Sequence, residues 1–254
     1  MVNNMCGLAG VVAPASFLEA AAFIDLLKIS SLRGADSTGL MVSRKFVTSI
    51  YKDAVNSVTF AESLELGDIL NPMKMYGDVY MAHCRYATIG DVTRKNSHPF
   101  RENDLVLAHN GTVGSLHTKG MLGTDSQLLL HKMCEKGVIP ALSDLKPSDS
   151  FAVSVFDNKE KVLYLGRNTQ RPLAFAVVQD TGTFFSASEP EMLQFVMKRN
   201  HLYAKIFLAE PWLLFRVDPK DINEENMTPW TSEDIPHQEE KKKDELSETS
   251  SAAV

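Results

Sequence analysis

The chain has 254 residues, of which 44% are hydrophobic and 23% charged, and its formal net charge is −6. That length suffices to bury the core of one large domain or two small ones, and no apolar run approaches the ~20 residues that cross a bilayer. Residues 219–254 hold ten carboxylates and four lysines, a balance equal to the whole-chain charge. The body is therefore close to neutral and offers no basic footprint for nucleic acid or anionic lipid.

At the amino end, Met5-Cys6-Gly7-Leu8-Ala9-Gly10 stands out. A cysteine freed of everything before it carries a thiol nucleophile and an α-amine on one residue, and that amine can act as the general base. Residues 7–12 read as a buried strand. Ser16 with Glu19 forms a capping-box pattern that opens an apolar helix to about Ser30. The polar stretch 33–39 reads as a loop, residues 40–42 and 46–51 as strands, and 63–70 as a short helix. Residues 79–85 read as a strand that ends in a long polar loop, 88–104. Residues 105–109 form another strand, which stops at Asn110-Gly111, a common hairpin-turn pair. Thr124 with Gln127 is a second capping box, and its helix runs to about Lys136, where Gly137 ends it.

From residue 150 the pattern turns to strands, at 151–156, 162–165, 174–178 and 183–187. Ser188 with Glu191 is read as capping a helix to about Arg199, and strands at 203–208 and 212–217 close the body. Beyond Pro219 the chain turns acidic, with Lys241-Lys242-Lys243 inside it, and reads as a disordered tail. Strand groups separated by helices suggest an α+β arrangement of two sheets covered by helices. The cysteines Cys6, Cys84 and Cys134 are odd in number and irregular in spacing, which suits neither a disulfide framework nor a CxxC site. No lysine or arginine precedes Lys28, so the basic region of an export signal is missing, and a reducing cytoplasm is expected.

Five polar clusters fall at strand ends or helix starts: 33–39, 83–90, 97–100, 107–111 and Gly123-Thr124-Asp125-Ser126. Each has a local explanation. Arg33 could pair with Asp36 across a turn, Arg85 could lie on the surface, and Asp125 could merely favour a helix N-terminus. Together they suit an α-amino acid. Arginine's planar fork fits a carboxylate, an aspartate accepts from an ammonium, and the Asn110 amide with the Gly111 N–H can donate to an oxyanion.

The ordered set Met5-Cys6-Gly7, Arg33-Gly34-x-Asp36-Ser37-x-Gly39, Arg85-Tyr86-Ala87-Thr88-x-Gly90, His98-Pro99, His109-Asn110-Gly111 and Thr124-Asp125-Ser126 resembles the class II glutamine amidotransferase family. These are the glutaminase domains of glucosamine-6-phosphate synthase, amidophosphoribosyltransferase and asparagine synthetase. The resemblance extends to about Val217, with Arg167-Asn168, Pro172-Leu173 and Ser186-Ala187-Ser188-Glu189 resembling the family's second half. It implies a four-layer αββα sandwich of two antiparallel sheets between helical layers. It also implies Cys6 as nucleophile, Asn110 and Gly111 as oxyanion hole, Arg85 with Thr88 on the glutamine α-carboxylate, and Asp125 on its ammonium. Arg33 and His98 take supporting roles in shaping the pocket. No cofactor and no metal is implied.

Residues 1–5 are expected to be a leader or a mis-assigned start, 6–218 the amidotransferase domain, and 219–254 the tail. The implied activity is hydrolysis of L-glutamine to glutamate and ammonia through a γ-glutamyl thioester, with ammonia passed to a separate synthase or acceptor-binding partner. Three alternatives stand beside it. They are an amidase acting on a γ-glutamyl amide intermediate, a non-catalytic glutamine-binding subunit with a blocked amine, and a metallohydrolase built from His83, His98, His109 and His131. No HxxxH or HxH spacing supports the last.

Overall fold

A computed structural model describes residues 5–45, 47–75, 78–88, 90–116 and 124–237. The chain begins with β1 (Gly7–Val12) and α1 (Phe17–Ile29), followed by β2 (Ser37–Arg44), β3 (Val47–Asp53) and α2 (Ser57–Ala61). Then come β4 (Val79–Arg85), β5 (Phe100–Glu102), β6 (Leu105–Thr112), α3 (Asp125–Lys136) and α4 (Val138–Ser143). The second half contains β7 (Ser150–Asp157), β8 (Val162–Arg167), β9 (Ala174–Val178), β10 (Phe184–Ala187) and α5 (Pro190–Arg199). It closes with β11 (Ala204–Leu208), β12 (Leu213–Val217) and β13 (Thr231–Asp234).

Two antiparallel sheets form, ordered β11-β9-β10-β1-β4-β2-β3 and β13-β12-β8-β7-β6-β5. Period-two alternation explains how they stack. In β1, Leu8 and Val12 join Val106, Ala108 and Phe156 of the other sheet in the central core, while Ala9 and Val11 pack with Phe23 and Leu26 of α1. In β7, Ala152 and Phe156 face the centre, while Phe151, Val153 and Val155 meet Leu129 and Leu130 of α3 and Leu142 of α4. The inner strands of each sheet are buried on both faces, and the result is the four-layer αββα sandwich that the resemblance implied.

Both expected capping boxes are present. Ser16 accepts from the Glu19 N–H at 3.3 Å, Thr124 accepts from the Gln127 N–H at 3.4 Å, and the N3 side chains reach back. Other elements differ from the sequence reading. Residues 37–39 of the supposed polar loop are the start of β2, paired with β4. The helix expected at 63–70 is a single 3-10 turn, Leu64–Leu66, and the true helix, α2, starts earlier behind Asn56, whose side chain accepts from the N–H groups of Val58 and Thr59. The loop 88–104 contains β5 and a 3-10 turn at Arg94–Asn96. Asn110-Gly111 is no turn, because β6 runs through it and pairs Asn110 with Ala152 and Gly111 with Phe151. The N-cap of α5 is Glu189, and Ser188 instead accepts the Leu8 N–H at 2.8 Å, tying β1 to the start of that helix.

The tail boundary also moves. Residues 219–237 fold: β13 pairs with β12, and Trp230 packs its ring 5.1 Å from Phe207 and 5.6 Å from Phe175. Ile235 is buried, and His237 stacks on Trp212 at 4.0 Å. The acidic composition hid a few anchoring apolar side chains whose partners lie far back in the chain. The remaining tail, 238–254 with its lysine run, lies outside the described residues, as do Met1 to Asn4, Phe46, Ile89 and Gly123. Trp230→Ala should lower stability by about 2–4 kcal/mol, since it removes a large ring from a multi-aromatic contact. A urea midpoint equal to that of the unchanged protein would place residues 219–237 outside the cooperative fold. No helix among the described residues is long and apolar enough to cross a membrane.

Candidate active site

Cys6 lies one residue before β1 and is half-buried. Pairing of Gly7 with Cys84 sets Cys6 beside the end of β4. There the Tyr86 N–H donates to its Sγ at 3.3 Å, and the thiol reaches the Tyr86 carbonyl at 3.5 Å. Arg33 brackets the same point from the end of the α1 segment. Its carbonyl accepts the Met5 N–H at 3.1 Å, and its Nε donates to the Cys6 carbonyl at 2.9 Å. Its guanidinium forms an ion pair with Glu189, so the local Arg33–Asp36 pairing considered from sequence gives way to a partner at the N-cap of α5.

Burial pushes the Cys6 thiol above its ordinary range. The Tyr86 N–H and the charges of Arg85 and Arg33 pull it back, and Asp125 adds to the rise. The net direction is upward, so the thiol is held protonated near neutral pH. Reaction at this sulfur therefore requires a base.

Asn110 and Gly111 sit in β6, across the central core from β1 and β4. Asn110 is 1% exposed, and its Nδ2 has no hydrogen-bond partner among the described residues. A buried amide donor left open is costly unless something is to meet it. At Gly111 a Cβ would overlap the Ser150 carbonyl oxygen, so only glycine lets β6 lie this close to β7 at that point.

Arg85 and Asp125 are both buried, at 4% and 6% exposure, which removes the surface-arginine reading. The Arg85 guanidinium donates to the carbonyls of Gly90 and Asp91 at 3.2 and 3.1 Å, which aim it along the loop after β4. Asp125, the first residue of α3, accepts the Val113 N–H at 2.8 Å and the Ser126 N–H at 2.9 Å. Its Oδ1 is also reached by the Ser126 hydroxyl at 3.5 Å, and a carboxylate accepting three bonds still retains a lone pair for another donor. Thr88 is exposed on the same loop as Arg85.

The histidines divide into two groups. His83 donates from Nε2 to the His109 carbonyl at 3.1 Å and so joins the two sheets, and His109 meets the Ser126 hydroxyl at 2.9 Å. His98 packs its ring 4.1 Å from that of His83. Burial pushes His83 down to about 3 and His98 well below the usual imidazole range, and His109 is also lowered. All three are neutral near pH 7. His131 lies apart on an exposed face, bonded to Glu102 at 2.7 Å. Among the described residues no group of three or more His, Cys, Asp or Glu could hold a metal, so the four-histidine metal centre does not assemble.

Three participants carried no role in the sequence reading. Tyr86 contributes its backbone, which no side-chain pattern reveals. Glu189 was quoted only as part of a motif. Arg171, next to the noted Pro172-Leu173 pair, reaches the Met5 sulfur at 3.6 Å.

The sandwich with a cysteine at the head of its central strand is the N-terminal-nucleophile hydrolase fold. It superposes on glutamine phosphoribosylpyrophosphate amidotransferase from B. subtilis, complexed with ADP and GMP, with a TM-score of 0.65 at 21% identity over 91% of this chain and 49% of that one. A structure described as the allosteric regulatory enzyme of purine biosynthesis gives a TM-score of 0.67 at 20% identity. Residues 47–145 match the family of class II glutamine amidotransferases. Among curated proteins the chain is 25% identical to glutamine–fructose-6-phosphate aminotransferase (isomerizing) of Helicobacter pylori, over 80% of this chain and 36% of that protein. It is 26% identical to the Thermococcus kodakarensis protein of the same name, over 90% and 40%. The chain is thus similar to class II glutamine amidotransferases through residues 47–145, and it spans less than half the length of these relatives.

Proposed function

We propose that the chain hydrolyses L-glutamine to glutamate and ammonia, with Cys6 as nucleophile. The observation that carries this reading is the half-buried Cys6 thiol held on the Tyr86 N–H, with a buried cation, Arg85, and a buried anion, Asp125, acting on it. Those two charges suit the α-carboxylate and α-ammonium of one amino acid. The α-amine of a freed Cys6 takes the thiol proton, and the thiolate attacks the side-chain amide carbon. The resulting oxyanion is met by the open Asn110 amide and the Gly111 N–H. Collapse of this intermediate expels ammonia, which carries the proton returned by the amine. Water then attacks the thioester and releases glutamate. Thr88 assists Arg85, and Arg33 and His98 hold the two sides of the pocket.

The described strands and helices belong to one sandwich, which supports assigning the ammonia acceptor outside them, to a synthase or acceptor-binding unit. Three free thiols suit a reducing compartment. The test compares ammonia release from L-glutamine with release from γ-glutamyl amides of small amines, using the chain beginning at Cys6. Glutamine should be the preferred substrate. Preference for a substituted γ-glutamyl amide would replace this reading with an amidase, and no release from either would leave only a binding role.

A further inference from the structure

Residues 85–87 carry two groups on which the proposed chemistry depends: the Arg85 guanidinium and the Tyr86 N–H on the Cys6 sulfur. β4 ends at Arg85, so no strand ladder holds Tyr86 and Ala87. Asp36 holds them instead. The Asp36 N–H donates to the Arg85 carbonyl at 3.0 Å, and its Oδ2 accepts the Ala87 N–H at 2.8 Å. These bonds lie on either side of Tyr86 and leave its peptide N–H aimed at Cys6. Gly34 completes the mould, because a Cβ there would crowd the Arg85–Tyr86 peptide.

We propose that Asp36 is a positioning residue: through the Ala87 N–H its side chain sets the Tyr86 N–H on the Cys6 sulfur, and so sets the reactivity of the nucleophile. The position requires an acceptor oxygen at this reach, which asparagine also supplies and alanine does not. Loss of that acceptor frees the peptide after Arg85, lengthens the bond to sulfur and leaves burial less opposed. The charges that act on this thiol belong to Arg85, Arg33 and Asp125, none of which either variant replaces.

The inference rests on Cys6 as the nucleophile, so its test is read at the sulfur with no glutamine present. Alkylation of Cys6 by iodoacetamide is followed across the thiol titration by mass analysis of the Cys6 peptide, which keeps Cys84 and Cys134 out of the signal. Asp36→Ala should slow alkylation near neutral pH by about 3- to 10-fold and displace the titration to higher pH, the size expected for one lost hydrogen bond to a thiolate. Asp36→Asn should remain within about 2-fold of the unchanged chain. Alkylation unchanged in Asp36→Ala, or equally slow in Asp36→Asn, would overturn the proposal. Amide hydrogen exchange on the unaltered protein gives a second reading that needs no variant: the Ala87 N–H should exchange more slowly than that of Thr88, and equal rates would also overturn it. Failure of glutamine turnover alongside the expected alkylation pattern would remove the proposed function and leave this positioning role standing.

Discussion

A chain whose first residue is Cys6 should release ammonia from glutamine about 10²- to 10⁴-fold faster than one in which Met5 is still attached, the range that a positioned general base contributes. In the attached form the Cys6 nitrogen is an amide and cannot take a proton. Among the described residues no histidine supplies a substitute: His83 bonds to the His109 carbonyl, His109 to Ser126 and Ser150, both ring nitrogens of His98 lack a hydrogen-bond partner, and the Cys6 sulfur bonds to the Tyr86 backbone. Burial meanwhile holds the thiol protonated, so the attached form lacks both thiolate and base. A chain that starts at Met5 should lose that methionine in the cell, because the side chain at Cys6 is small. Removal also releases the Met5 contacts to the Arg33 carbonyl and to Arg171. Intact-mass measurement paired with ammonia release decides the matter, with Cys6→Ala as the baseline. Full activity from a chain whose mass still includes Met5 would overturn the amine-base mechanism.

The second large effect separates binding from chemistry. Asn110→Ala should lower kcat by about 10²- to 10³-fold with little change in KM, because its open amide meets charge that exists only during reaction. Asp125 should behave in the opposite way. Its carboxylate also holds the Val113 and Ser126 N–H groups, so alanine would confound binding with local disorder. Asp125→Asn keeps an acceptor oxygen for one of these two N–H groups and removes the charge that would face the ammonium. KM for glutamine should rise by about 10²-fold, the scale of a buried charge pair losing one member. Steady-state kinetics on both variants read this split. A KM effect in Asn110→Ala with kcat intact, or the reverse in Asp125→Asn, would exchange or cancel the two roles.

Within-turn chemistry was legible in the sequence, because a helix start depends on contacts three residues apart. Ser16 with Glu19 and Thr124 with Gln127 cap α1 and α3 as their spacing suggests. Short apolar runs likewise located β1, β4 and β7, and the ordered motifs named Cys6, Arg33, Arg85, Asn110, Gly111 and Asp125 as candidates. Only the tertiary structure decided which groups these residues meet. Arg33 finds Glu189, 156 positions away, instead of Asp36. Asn110-Gly111, with the composition of a turn, is drawn into β6 because residues 151–152 supply the backbone partners. Ser188 gives up a cap to hold Leu8, and Trp230 draws acidic residues back onto the core through rings from β9, β10, β11 and β12. Each of these outcomes turns on a partner far along the chain. Its free energy arises only when burial makes an unpaired polar group costly or a paired ring favourable, and no local window of sequence contains that term.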